Sequence, residues 1–243
     1  MLTVPRLKER QQHVRERLAG IDFEFFNGAD KNELTEDFIK ANYHYNKQDS
    51  LSVSQTFKPM NPGEIACALS HRMICQAMVE NNWQQVLIFE DDVVPSAAIG
   101  DLEYCLKELP AGWELLYLGY LKNEKATPGK KIKRSWYQLM ALMGISRLPA
   151  SMISRTLPKN FSSHLNRAGF HDCTHAYALS LSAAKKLIEA QTPLRYRADN
   201  LLSYLVLKGE LNAFAVKTSL FDQEIFSNTA HVSEVRDGAK ISI

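Results

Sequence analysis

The sequence predicts an α/β fold with a mostly parallel sheet flanked by helices, and three stretches carry that reading. NPGEIACALSHRMICQAMVENN over 61–82 opens as a helix, VLIFEDD over 86–92 is a continuous apolar run ending in acids, and WELLYLGY over 113–120 is a second such run beyond a helical stretch. Continuous apolar runs suit strands covered on both faces, and alternation of helix and strand is the rhythm of βαβ units. With 243 residues, 45% apolar and 23% charged, the chain supports one sizeable core, so residues 1–243 are expected to form a single domain.

Taken in order, RLKERQQHVRERLAG over 6–20 is rich in helix formers and ends at Gly20, a suitable residue just past a helix. IDFEFF over 21–26 alternates and is aromatic, as a short strand would be. Residues 31–60 are polar and irregular, with room for a short helix. At 61–64, Asn61 is placed to cap, Pro62 to occupy the first helical position and Glu64 to reach back, which together make a capping box. At 100° per residue that helix is apolar nearly all round, so it should be buried, and Glu64 and His71 fall within about 20° of each other.

After the first acidic strand, AIGDLEYCLKELP is a helical stretch leading to the second buried strand. Residues 121–171 break the rhythm; loops with one or two short helices are expected there. Order returns at THAYALSLSAAKKLIEAQ, a strand followed by a helix that Ser182 could cap, then a helix over ADNLLSYLVLKG and a strand over NAFAVKTSL.

Charge is unevenly spread. The net charge is +2, yet residues 121–171 hold ten Lys or Arg against the single acid Glu124, so this basic insertion carries +9 and the remainder −7. Aromatic and aliphatic groups (Trp136, Tyr137, Leu139, Met140, Leu142, Met143) are interleaved with the cations. An anionic membrane face is one reading of this segment and a solvated basic loop with a helix packed on the core is the other. Nucleic acid is disfavoured, because no base-stacking or groove-reading module accompanies the charge.

Cys67, Cys75, Cys105 and Cys173 lack metal-binding spacing and read as reduced thiols of a cytosolic protein. No run approaches the ~18 apolar residues needed to span a bilayer, and MLTVPRLKER turns charged too early for a secretory signal.

Glu90-Asp91-Asp92 stands at the carboxyl end of a predicted strand, where open α/β sheets bind ligands. Three adjacent carboxylates repel, and a hard divalent cation such as Mn²⁺ or Mg²⁺ would offset that repulsion while bridging to a diphosphate. A solvated turn or an acid-favouring helix start is the alternative. His71 and His175 taken singly read as locally bonded imidazoles, Glu64 as a capping carboxylate and Asp199, in RYRADNLL, as a helix cap; Glu64 and His71 gain interest from sharing the face of a helix that feeds the acidic strand.

Together, PGEIACALSH, VLIFEDDV, WELLYLGY, AGFHDCTHAYALSLSAAKKL and RADNLL resemble, in order, the motif series of glycosyltransferase family 25, and RLKERQQHVRERL with FEFFNGAD is similar to that family's opening helix and second strand. The resemblance covers nearly the whole chain. It implies a GT-A-like fold, a nucleotide-sugar donor (usually UDP-galactose), a divalent metal, and inverting transfer to a sugar hydroxyl, with a lipopolysaccharide or lipooligosaccharide core as the acceptor of bacterial members at the inner face of the cytoplasmic membrane. Residue by residue, it implies Asp92 and Glu90 as metal ligands; Glu64, Ser70, His71, Glu90, Asp91, His175, Tyr177, Gln223 and Ser227 near the sugar donor; and Asp199 as base, with Asp172 second. One departure is that only MLTV stands where the family has a full first strand, which leaves a non-catalytic nucleotide- or sugar-binding relative as the alternative.

Overall fold

The computed structural model describes residues 1–49, 58–224 and 235. Its N-terminal part contains β1 (Leu2–Thr3), α1 (Lys8–Arg17), β2 (Phe26–Asn27) and α2 (Glu36–Asn42). Strand β2 is confined to the last residue of IDFEFF and its successor; it pairs in parallel with β1, and Leu2 also bridges to Glu90. The short first strand thus lies against the acidic triplet.

Helix α3 (Pro62–Glu80) begins as its sequence dictates. The Asn61 side chain accepts from Glu64 N at 2.9 Å, and Glu64 Oε2 accepts from Asn61 N at 2.9 Å, so two otherwise orphaned N–H groups are satisfied. Ten of its nineteen residues are buried, which the all-round apolar pattern demands. Next come β3 (Gln85–Phe89), β4 (Val93–Pro95), α4 (Leu102–Lys107) and β5 (Leu115–Leu121).

The segment expected to be mostly loop contains α5 (Pro128–Leu142), a fifteen-residue helix. Thr127 caps it, accepting from Lys130 N at 3.4 Å, and Pro128 follows at the first helical position. This is the same cap-then-proline start as at Asn61-Pro62, here hidden among lysines. Short α6 (Ala150–Ile153), β6 (Lys159–Asn160) and β7 (Leu165–Arg167) complete the insertion.

Strand β8 (Asp172–Ser180) passes directly into α7 (Leu181–Ala190), followed by α8 (Ala198–Lys208), β9 (Ala213–Val216) and β10 (Phe221–Gln223). Ser180, rather than Ser182, caps α7, accepting from Ala183 N at 3.2 Å; the Ser182 hydroxyl instead donates to Glu114 at 2.7 Å. Gly209, at φ +80°, ends α8 in the left-handed conformation that glycine adopts without strain.

The six-stranded sheet has the order β3-β8-β5-β9-β7-β6. It is mixed, which corrects the mostly parallel expectation: β5–β9 is its one parallel pair among the described residues, and β8 runs antiparallel to both β3 and β5. The cause is non-local. Strands β3 and β5 do not pair with each other; β8, made after the insertion, enters between them. Tyr117, Tyr177 and Phe214 are fully enclosed at the middle of this sheet. Helices α3, α7 and α8 contact one another, and β10 pairs antiparallel with β4 beside α1. Among the described residues no helix is long and apolar enough to cross a membrane, and all four cysteines are free thiols.

Candidate functional site

Three chain ends meet where β3 stops: the acidic triplet, the start of β8 and the start of α8. Glu90 is fixed by its backbone, with N donating to His175 O at 2.9 Å. Its Oε1 lies 3.2 Å from His71 Nε2, while His71 Nδ1 lies 2.6 Å from the Tyr177 hydroxyl. A carboxylate only accepts, so Nε2 carries a hydrogen toward Glu90, and the Tyr177 hydroxyl partners Nδ1 on the far side of the ring. Burial pushes the Tyr177 phenol well up, so it stays protonated to play that part.

The triplet divides by role. Asp91 is buried and both its oxygens serve the N-terminal segment: Thr3 Oγ1 donates at 2.7 Å and Arg10 Nη1 at 3.2 Å. Asp92 belongs to the centre. Burial first, then repulsion from Glu90 and Asp91, lifts its carboxyl to about 7. Gln223 Nε2 approaches its Oδ2 at 3.4 Å, and Glu224 N donates to its main-chain carbonyl at 2.8 Å.

Asp199 lies in the first turn of α8, two residues past Arg197, so it is not the cap. Its Oδ2 accepts from Cys173 N at 3.2 Å and its Oδ1 from Asn200 N at 2.7 Å. Burial raises its pKa, with smaller contributions from Asp172 and Glu90. Asp172 is ion-paired to Lys122. Lys122, Asn123 and Cys173 all have positive φ; three non-glycine residues in that strained region around Asp172 mark a place where the fold tolerates a cost for position.

Cys67, one turn before His71 on α3, stands inside this ring of acids. Burial first, and then Glu90, Asp199, Asp92 and Glu64, push its thiol well above its ordinary value. Four carboxylates from α3, the triplet and α8 therefore share one field. Cys67 was not singled out from the sequence, although the spacing Glu64, Cys67, His71 puts all three on one stripe of the helix.

Other residues named from the sequence are supports. Ser70 donates to Ala66 O at 2.7 Å and accepts from Ala29 N at 2.8 Å, holding the loop after β2. Glu64 is gripped by Arg197 through two bonds of 2.5 and 2.9 Å. His175 is buried and neutral at ordinary pH, with its pKa lowered by that burial, and its Nε2–H donates to Phe221 O at 2.9 Å. That bond seats β10, which delivers Gln223 to Asp92. Gly119 makes room for it: a Cβ there would stand 2.3 Å from His175 Nε2 and 2.5 Å from Phe221 O. Ser227 lies outside the described residues.

The residues present suit a hard divalent ion in part. Glu90 and Asp92 offer carboxylate oxygens of the type Mn²⁺ and Mg²⁺ take, and a cation would offset the burial, and after it the repulsion, that raise Asp92. Asp91, tied to Thr3 and Arg10, does not belong to such a set. Cys67, His71 and Glu90 bring one ligand-type atom each within 4.8 Å of one another, a softer combination.

The profile of glycosyltransferase family 25 (LPS biosynthesis protein) matches residues 4–202, and the chain belongs to that family. A Bos taurus protein named probable inactive glycosyltransferase 25 family member 3 is 32% identical over 142 residues, 57% of this chain and 19% of its own. A glycosyltransferase 25 family member of Anopheles gambiae is 27% identical over 200 residues, 79% of this chain and 28% of its own. A putative glycosyltransferase of Haemophilus influenzae is 32% identical over 88 residues, 35% of this chain and 29% of its own. The chain thus spans less than a third of the length of these relatives. Residues 62–71, 90–92, 172–177 and 198–202 all fall within the matched span.

Proposed function

We propose that the chain is an inverting glycosyltransferase that moves a hexose, galactose from UDP-galactose as the leading case, to a sugar hydroxyl of a lipopolysaccharide or lipooligosaccharide core. The observation that carries this reading is the convergence of Glu90, Asp92 and Asp199 from separate segments on one half-buried, acid-rich centre around Cys67.

Asp199 is the base. Its raised pKa brings it closer to the working pH, where a carboxylate is a more effective proton acceptor, so it takes the hydroxyl proton as the oxygen attacks the anomeric carbon. Cys173 N and Asn200 N fix the carboxylate's orientation. Asp172, neutralised by Lys122, is the second choice. Glu90 and Asp92 would hold Mn²⁺ or Mg²⁺, which when bound stabilises the leaving diphosphate. His71 and Tyr177 set the rotamer of Glu90, and His175 sets Gln223 through β10.

A second reading is a relative that binds a nucleotide or sugar without transfer. It is favoured by the names of the Bos taurus and Homo sapiens relatives, called probable inactive and inactive respectively. UDP release from UDP-galactose with Mn²⁺, with and without core oligosaccharide, separates the two. Transfer requires turnover by the wild type, a fall of about 10²–10⁴-fold in kcat for Asp199→Asn, and loss with Asp92→Ala. UDP binding without turnover selects the second reading. Mass spectrometry of the oligosaccharide product identifies the sugar added.

A further inference from the structure

Helix α5 turns its apolar face outward. None of its residues is buried, and the side that meets the protein carries Arg134, Gln138 and Ala141, all half-buried. On the far side stand Ile132 (72% exposed), Trp136 (59%), Leu139 (48%) and, just past the helix, Met143 (54%). At 100° per residue these four lie within about 60° of one another.

Gly144, at φ +75°, then turns the chain back, with Ile145 N donating to Met140 O at 2.9 Å, and leaves Ile145 exposed at the same end. The rims are cationic. Lys131 and Lys133 are exposed on either side of the stripe, Lys130 is exposed near the start of the helix, Lys133 Nζ lies 5.8 Å from the Tyr137 ring centre, and the helix holds no acid.

From this face we infer that α5 is a membrane-surface helix, lying in the headgroup region of a bilayer rich in anionic phospholipid with Ile132, Trp136, Leu139 and Met143 inserted. Charge selects the occupant. A second copy packed on the stripe would bring the flanking Lys131 and Lys133 against their own counterparts, whereas anionic headgroups complement them and the acyl region accepts the apolar stripe. Lysine stems reach along the helix to keep their ammonium groups among the phosphates, and Trp136 has the ring type suited to that boundary. The inference concerns a surface and does not depend on the sugar chemistry.

Flotation of the full chain with vesicles tests it. The wild type should bind phosphatidylglycerol/phosphatidylcholine vesicles at least tenfold more tightly than pure phosphatidylcholine, and less tightly as salt rises. Ile132→Asp with Trp136→Asp, both at exposed positions, should lose at least tenfold while circular dichroism stays unchanged. Lys130→Glu, Lys131→Glu and Lys133→Glu together should abolish the preference for the anionic lipid. Lipids brominated on their acyl chains should quench the wild type more than Trp136→Phe. Asp199→Asn should bind as the wild type does, which separates failure of this inference from failure of the transferase reading. Equal binding to both vesicle types, unimpaired binding by the Asp double variant, or a lipid-free dimer that this variant dissolves would each overturn the proposal.

Discussion

Thr3 donates its hydroxyl to Asp91 at 2.7 Å across 88 positions of sequence, and Arg10 takes the other carboxylate oxygen at 3.2 Å. The middle acid of the triplet is therefore a strut for the N-terminal segment. Thr3→Val leaves one buried acceptor short of a donor and should cost about 1–2 kcal/mol in urea unfolding. Asp91→Ala, which removes the acceptor that Thr3 and Arg10 share, should cost more, whereas Asp92→Asn relieves repulsion and should leave stability equal or higher. Equal losses at Asp91 and Asp92 would contradict this division.

Arg197 holds Glu64 through two parallel bonds, and Glu64 is also half of the α3 capping box. Arg197→Ala should lower stability by about 1–3 kcal/mol, short of the full cost of a stranded buried charge because both partners keep some exposure. Arg197→Lys should recover little, since one ammonium cannot reproduce a two-pronged grip. As Arg197 directly precedes the turn bearing Asp199, the same variants should also reduce sugar transfer; denaturant midpoint and kcat measured on one preparation check both.

Gly119→Ala sets a methyl group 2.3 Å from His175 Nε2 and 2.5 Å from a main-chain oxygen of β10. Overpacking of this kind costs about 1–3 kcal/mol. The displaced strand carries Gln223, so binding of the metal–nucleotide pair, read by calorimetry on folded protein, should weaken as well. Gly112→Ala, at a turn with open space around it but φ +74°, serves as a comparison in which strain affects stability without touching the site.

His171 provides a pH signature. Its Nδ1–H donates to Lys122 O at 3.0 Å, its Nε2 accepts from Gly169 N at 3.2 Å, and burial lowers its pKa to about 4. A base depressed on folding contributes stability that is fully present above about 6.5 and is lost as pH falls toward 4. The span corresponds to about 3 kcal/mol. Asp91, Asp92 and Asp199, raised on folding, work in the opposite direction. His171→Gln should therefore show a flatter fall in stability between pH 7 and pH 5 than the wild type, with about one proton fewer taken up on unfolding near pH 5.5.

Local signals were readable and long-range partners were not. The Asn61–Glu64 capping box and the shared face of Glu64 and His71 follow from spacing along one helix, and both are present. Glu90 at a strand end follows from the apolar run before it. The direction of the sheet does not, because nothing within VLIFEDD or WELLYLGY says that a strand ninety residues further on will separate them. The family resemblance sets Asp92 apart as a metal ligand, but the residues alone do not separate it from Asp91, since what distinguishes the two in the fold is Thr3, Arg10 and Gln223, all distant in sequence. One or two short helices are expected within 121–171, but the fifteen-residue length of α5 is not legible among its lysines, although Thr127-Pro128 marks its start.

The insertion of β8 between β3 and β5 bears on how the chain is made. During synthesis both strands emerge before their common neighbour exists, and the wait is roughly sixty residues, or about 3–12 s at ordinary elongation rates. For that time two apolar strands present open edges to the same surroundings, which is the condition that favours pairing with other chains. The nascent protein should thus be most dependent on chaperones while residues 121–180 are being added, and slowing synthesis within that window should lower the soluble yield more than slowing it after residue 180.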